Sequence, residues 1–539
     1  MAIVTNSILF MHNQTNGYVF APQYQGTTWP NGPLGGRSGL IPLTTDYVIS
    51  FTITNGGSGY VSPTITVGTP WSSGKAFPQG SQCVNAGHVY TATNSATSGA
   101  TAPTCTSGTC SDGAVTWQYA GTAAVITATP NAGAIQSGYV TLISGGSGYA
   151  TTPPVVITDS SGTGATMTVT LNGFPQGGLV PGVAYLDTYT VVGQSNGRLY
   201  CSFVNDPSSW NALAYVTSYS EPNALVGISK HLNYVAAFSQ WSTNFFYDSG
   251  TSTQLTSSNT VSAVVTSPLS PVNTYGFEIG CANGQSIAQL EQSIVWVGQS
   301  KDTGPAVYML EGLSPVKVSS AYIERILETS NLTAMTSYVF KFNGHTFYVL
   351  TLGDLNVTIV YDIGEKTWYN WTYYTIGDSS SGVSGLYAEQ YFRAGYYAGS
   401  YGQSSGSNIG TNYFFLDDDN GVIYTLEETN YNDAGAPIYF RVVTPLIDSG
   451  TTKRKFHRSL EIVGDKVPAN MKIRHSDDDY NTWSSYRSVT LNQERPIIHQ
   501  LGQSRRRAYE FLCTDNQPLR FESAELNYDI GEMQGQGGS

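Results

Sequence analysis

Charge is the scarcest material in this 539-residue chain: Asp, Glu, Lys and Arg make up 11% of it, under half the quarter usual for a globular protein. Positive charge is scarcer still, with 24 Lys and Arg against 37 Asp and Glu. A surface that grips nucleic acid needs clustered cations, so a tight nucleic-acid binder is excluded; DNA or RNA could pass such a protein without being held. Nowhere do 18 apolar residues run together, which excludes a membrane-spanning helix. Met1-Ala-Ile-Val-Thr-Asn is polar within six residues and makes no export leader, so a soluble chain is expected. The six cysteines are scattered. Only Cys105 and Cys110 stand close, and a lone C-x4-C lacks the paired spacing of a zinc site, so free thiols are expected. No nucleophile elbow, phosphate loop or H-E-x-x-H appears, and no catalytic, cofactor or metal residue is assigned.

What the chain has instead is Gly, Ser, Thr, Tyr and Val. Residues 46–172 carry only four charged side chains, Asp46, Lys75, Asp112 and Asp159. They also hold two near-copies, Phe51-Thr-Ile-Thr-Asn-Gly-Gly-Ser-Gly-Tyr60 and Val140-Thr-Leu-Ile-Ser-Gly-Gly-Ser-Gly-Tyr149. The glycines punctuate β-branched and aromatic runs without replacing them, which is the composition of short strands and tight turns and not of a flexible linker. At this length the chain should divide into several domains. Residues 437–539 hold 14 Lys/Arg and 13 Asp/Glu, a density far above that of the rest, and read as a separate C-terminal β domain. The first 436 residues then carry a net −14.

Between these, residues 173–436 show strand, turn, strand, turn at about ten-residue spacing, which suggests a β-propeller or a sandwich. Tyr361-Asp362, a turn, and Trp368 on the returning strand favour propeller blades. Only residues 320–330 read as helix, with Ile323, Ile326 and Leu327 at i, i+3 and i+4. His345, among aromatics in a strand, reads as a satisfied core histidine. The domains expected are residues 1–45 as N-terminal propeller strands, 46–172 as an inserted β appendage with a nested module at about 72–121, 173–436 as propeller, and 437–539 as a β-sandwich-like domain.

From about Phe174 to Ile530 the order of landmarks resembles the packaged-DNA stabilisation protein, the tail-hub or nozzle protein of short-tailed, podovirus-type bacteriophages. The landmarks are Val183-Ala-Tyr-Leu-Asp187, Asp206-Pro-Ser-Ser-Trp210, Ile279-Gly-Cys281, Ile294-Val-Trp-Val297, Tyr322-Ile-Glu-Arg-Ile326, Gly344-His-Thr-Phe-Tyr348, Val360-Tyr-Asp362 with Trp368, and Thr444-Pro445. The resemblance implies an all-β, non-enzymatic structural protein made in the host cytoplasm and carried in the virion tail. It further implies a hexameric ring below the portal and adaptor proteins, bearing tail fibres or spikes and passing double-stranded DNA during ejection. Members usually begin with a longer stretch of propeller sequence; here the first blade is either rebuilt or completed by another chain. The insertion is foreign to the simplest members. As an exposed appendage it is expected to be removable by joining Thr45 to Gly173.

Two local patterns are candidate sites. Gly87-His-Val-Tyr90, Ser98-Gly-Ala-Thr-Ala-Pro103 and Ser111-Asp-Gly-Ala-Val-Thr-Trp117 resemble a small carbohydrate-binding module of phage structural proteins. Trp71, Tyr90, Trp117 and Tyr119 are then candidates to stack on a host surface glycan, or else they are the core of a small module. Ser476, Asp478, Thr482 and Trp483 resemble an Asp-box turn, with Tyr480 in the Gly place. Asp-boxes occur in sialidases, so a propeller glycoside hydrolase stands as an alternative beside a tail-associated glycan-binding adhesin; the turn itself reads as structural. Asp417-Asp-Asp-Asn-Gly421 reads as an acidic turn and not a calcium loop. The basic runs 453–458 and 505–507 are read as solvated loops or as contacts to an acidic neighbouring subunit.

Overall fold

The computed structural model describes all residues except 1, 6–7, 219–222, 251–266, 291, 356, 376–387, 392–393, 406–407, 418–421, 428, 434–435 and 532–539. The acidic turn at 418–421 thus lies outside the described residues. The chain forms two compact units, residues 1–333 and 334–539. Strands dominate both, as β-branched and aromatic residues separated by glycine turns require. The one α-helix among the described residues, Ala321–Thr329, buries Ile323 and Leu327 on one face.

The first unit is a series of antiparallel meanders. Ala2–Thr5, Ile8–His12, Gly17–Phe20 and Ile41–Leu43 pair in sequence order as a four-stranded sheet. Ala184–Leu186, Tyr189–Gly193, Arg198–Phe203 and Asp206–Thr217 repeat the pattern, as do Leu225–His231, Tyr234–Ser239, Thr243–Asp248 and Leu269–Phe277. A further sheet is built on Ile294–Gln299, Ala306–Glu311 and Ser314–Lys317. Neighbouring meanders share apolar cores; Phe10, Val19, Tyr47, Phe174, Val192 and Trp210 form one of them. The landmark at 206–210 has a local cause: Asp206 Oδ1 accepts the Ser208 amide at 2.9 Å, and the Trp210 indole donates to Pro207 O at 2.8 Å.

Inserted in this series is a carrier with an internal pseudo-two-fold. Val48–Ser58, the Gly-Tyr turn and Thr64–Val67 form one half; Val140–Ser144, the second Gly-Tyr turn and Val155–Thr158 form the other. The second strands of the halves pair with each other, and each first strand pairs with the third strand belonging to the other half, Thr163–Leu171 or Val125–Ala128. The repeat has a purpose in these turns. Gly57 and Gly146 sit at φ +62° and +66° with backbone so close that a Cβ would collide. This lets Tyr60 Oη accept the Ala165 amide (3.1 Å) and Tyr149 Oη accept the Ala124 amide (2.7 Å). The nested module, with strands from Ala76–Phe77 to Thr116–Thr122, interrupts the first half after its second strand and has its own core of Phe77, Cys83, Tyr90, Val115 and Trp117.

In the second unit, Met335–Phe342, His345–Leu352, Val357–Asp362, Thr367–Thr375 and Ala388–Tyr391 form a five-stranded meander. Tyr361 pairs with Trp368 across the hairpin, their rings 4.9 Å apart, and Asp362 Oδ1 accepts the turn amides of Gly364 and Glu365. Asp362 Oδ2 also holds His345 Nδ1 at 2.6 Å, and the imidazole stacks on Phe347; His345 is satisfied, at a half-exposed strand end. Ala394–Ser405, Asn408–Asp417 and Ile423–Leu426 make a three-stranded sheet. Towards the C terminus, one sheet around Asn470–Ser476 and Ala508–Cys513 and another around Lys455–Gly464 and Phe521–Ile530 face a common core that includes Leu460, Ile462, Met471, Ile473 and Phe511.

Candidate functional site: the insertion and its root

The insertion leaves and rejoins the host sheets through a two-stranded stalk, since Val48–Ser58 pairs with Thr163–Leu171 in a register that sets Val48 opposite Leu171. Composition places the boundary at residues 46 and 172, but both junctions lie inside the host core. Tyr47 is fully buried there and donates its hydroxyl to Ser208 O at 2.6 Å; Ile49 joins the same cluster. Asn172 bonds Thr44 O (2.7 Å) through its amide nitrogen and the Trp210 amide (3.0 Å) through its oxygen. Joining Thr45 to Gly173 would therefore remove Tyr47, Ile49 and Asn172 from the host. An excision that spares these three residues has to be made farther along the stalk.

A second grip holds the carrier to the first sheet's long loop. Asp46 Oδ2 accepts the Gly148 amide at 2.8 Å and Asp46 O accepts that of Tyr149 at 3.1 Å. Arg37 donates to Gly146 O, and Gly145 donates to Pro33 O at 3.1 Å. The second Gly-Gly-Ser-Gly-Tyr turn is thus clamped from both sides by one carboxylate and one guanidinium. Charge counting finds Asp46 but assigns it no role, because its partners lie about a hundred residues away in sequence.

The four candidate stacking rings part company. Tyr90 and Trp117 are fully buried and pack with Phe77 and Cys83, so they offer no face to a ligand and act as module core. Trp71 and Tyr119 are partly buried at the edge of that core. The Trp71 indole donates to Asp112 Oδ2 at 2.8 Å, and Tyr119 packs edge-on to Tyr90 and His88. The cysteine expectation needs correcting: Cys105 and Cys110 are joined in a disulfide within this module, while Cys83, Cys201, Cys281 and Cys513 are free and buried. C-x4-C spacing suits a short loop staple as well as it suits two thiols. Burial pushes the thiols of Cys83, Cys201 and Cys281 up to about 12, leaving them protonated.

The Asp-box-like turn is assembled as a bracket. Asp478 Oδ1 accepts the Ser476 hydroxyl (2.9 Å) and the Thr482 amide (2.8 Å), and Oδ2 takes the Thr482 hydroxyl. Tyr480, at φ +66°, occupies the left-handed position where glycine is usual. Trp483 lies under the Arg474 guanidinium, 4.9 Å from its ring centre. Four of the seven Lys and Arg side chains in the two basic runs are engaged within the chain. Arg507, 2% exposed, makes a two-pronged ion pair with Asp477, at 2.6 and 2.7 Å, and Arg506 pairs with Asp479. Lys455 is buried and donates to Thr451 O and Arg505 O; Arg458 pairs with Asp529. Arg441 and Arg474 share buried Glu510, and their hydrogen bonds, with that of Tyr486, hold its carboxyl below the usual range against the opposing effect of burial.

Serial antiparallel meanders with inserted and appended β modules define an all-β protein of the propeller class. The chain belongs to the family described as Bacteriophage P22 Gp10, beta-propeller, whose model matches residues 155–429. It is thereby a structural protein of the phage virion. The match begins inside the insertion's last strands, ahead of the Phe174 landmark. No curated protein matches the chain. Similar solved structures include an exo-beta-1,3-galactanase from Phanerochaete chrysosporium with beta-1,3-galactotriose, at 9% identity and TM-score 0.22, covering 86% of this chain and 100% of that one. Another, a glycoside hydrolase, has 11% identity and TM-score 0.17, covering 64% and 83%.

Proposed function

We propose that this chain is the tail nozzle of a short-tailed phage. Six copies form a ring that continues the DNA conduit below the portal and adaptor, retains packaged DNA, and carries the insertion as a receptor-binding appendage. The family membership is the observation that carries this reading. Electrostatics supports it: the first 436 residues have a net charge of −14, and Arg441, Arg458, Arg474, Arg506 and Arg507 of the C-terminal unit are paired with Glu510, Asp529, Asp479 and Asp477. A wall of acidic and neutral groups leaves DNA free to slide.

In this reading the role is structural and not catalytic, which is supported by membership of a family of structural phage proteins. The test is electron microscopy of purified particles together with light scattering of the free protein. A six-fold ring of the 57.9 kDa chain at the tail tip is expected. A chain that is monomeric in solution and absent from the tail would overturn the proposal.

A further inference from the structure

We infer that the cleft between the nested module and its carrier binds a neutral saccharide, an inference that rests on the receptor-binding reading of the insertion. The cleft holds about 300 Å³, the lower end of volumes that take small ligands. Ser81, Gln82 and Val84 of the nested module line one side; Thr69, Thr151 and Pro153 of the carrier line the other. The two walls are tied to each other. Gln82 Nε2 donates to Gly148 O at 2.7 Å while its Oε1 accepts the Ala150 amide at 2.9 Å, and the Val84 amide donates to Thr69 O at 2.8 Å. The cleft is therefore formed before a ligand arrives, and binding orders little that is loose.

Its chemistry has two sides. The hydroxyls of Thr69 and Thr151 stand with the apolar surfaces of Val84 and Pro153, while the Gln82 amide and the Ser81 hydroxyl, which donates to Pro78 O at 2.6 Å, are tied into the wall; this suits a sugar ring with its C–H face and its rim of hydroxyls. No charged side chain lines the cleft. The insertion's four charges are all engaged elsewhere: Asp46 on Gly148, Lys75 over the Phe77 ring, Asp112 on Trp71, and Asp159 on the amides of Val61, Ser62, Ser161 and Gly162. Nothing there offsets the cost of desolvating an anionic or cationic ligand, which selects a neutral one.

The experiment applies the full-length protein to immobilised neutral and acidic oligosaccharides, comparing it with Thr151→Trp and Thr69→Trp, which fill the cleft from one wall, and Trp71→Ala, which removes the half-exposed ring outside it. Adsorption to host cells is measured for a variant lacking the insertion. Expected are binding to a neutral oligosaccharide that a roughly tenfold rise in salt leaves unchanged, a loss of at least about tenfold in both cleft-filling variants, and no loss in Trp71→Ala. Binding confined to acidic sugars, or kept by both cleft variants and lost in Trp71→Ala, would overturn the cleft and leave the receptor role standing. So would the absence of any oligosaccharide binding where the variant lacking the insertion fails to adsorb. Undiminished adsorption of that variant would overturn the receptor reading itself.

Discussion

Replacing Asp46 by Ala tests how rigidly the insertion is mounted. The substitution removes the carboxylate that accepts the Gly148 amide at 2.8 Å and leaves the backbone bond from Tyr149 to residue 46 in place. A hydrogen bond to a charged group contributes about 1.5–3 kcal/mol, and Asp46 is half-buried, so about 2 kcal/mol is expected here. That corresponds to a rise of roughly thirtyfold in the local opening constant, at about 1.4 kcal/mol per factor of ten. Hydrogen exchange followed by mass spectrometry reads it directly. Amides of residues 145–149 should lose protection by about that factor, while those of Cys83, Tyr90 and Trp117, in a separate core, keep theirs. Unchanged exchange at 145–149, or an equal loss throughout the nested module, would refute the clamp.

Three further outcomes are expected. Asp477→Ala strands the buried Arg507 guanidinium and should destabilise the C-terminal unit by about 3 kcal/mol in denaturant unfolding, whereas Asp479→Ala, whose partner Arg506 is exposed, should cost under about 1 kcal/mol. Burial, followed by the nearby Arg507 charge, pushes His457 down to about 4 from its ordinary 6.5, so the fold holds it neutral while the unfolded chain takes up the proton first. Stability of the C-terminal unit should thus fall as pH drops from 6.5 towards 4, and His457→Gln should flatten that slope in a pH series of melts. Reducing Cys105–Cys110 should lower the nested module's resistance to unfolding by about 2 kcal/mol, as expected for so short a loop, with little change in exchange at the propeller sheets.

What could be read in the sequence was whatever local chemistry decides. Tyr361, Asp362 and Trp368 announce a hairpin because the carboxylate caps the turn's own amides, and Ile323 with Leu327 marks one helix face. What could not be read was set by distant partners. Arg506 and Arg507 look like a solvated run until Asp477 and Asp479 are brought alongside, and Tyr47 and Asn172 look like appendage until Ser208 and Trp210 claim them. The burial of Tyr90 and Trp117 was, by contrast, one of the two readings the sequence offered, since a module this small has to use its largest rings as core.

The most direct test of the account is an excision that respects the root. Ser50 is joined to Thr170, its partner in the stalk, through an Asn-Gly turn, which keeps Tyr47, Ile49 and Asn172 in the host core. The variant is supplied to particles that lack the protein, and their tails are imaged. Rings of normal size at the tail tip, on particles that no longer adsorb to host cells, are the expected result. Failure of this variant to fold or to join the tail would contradict the claim that the insertion is an appendage on a self-sufficient propeller.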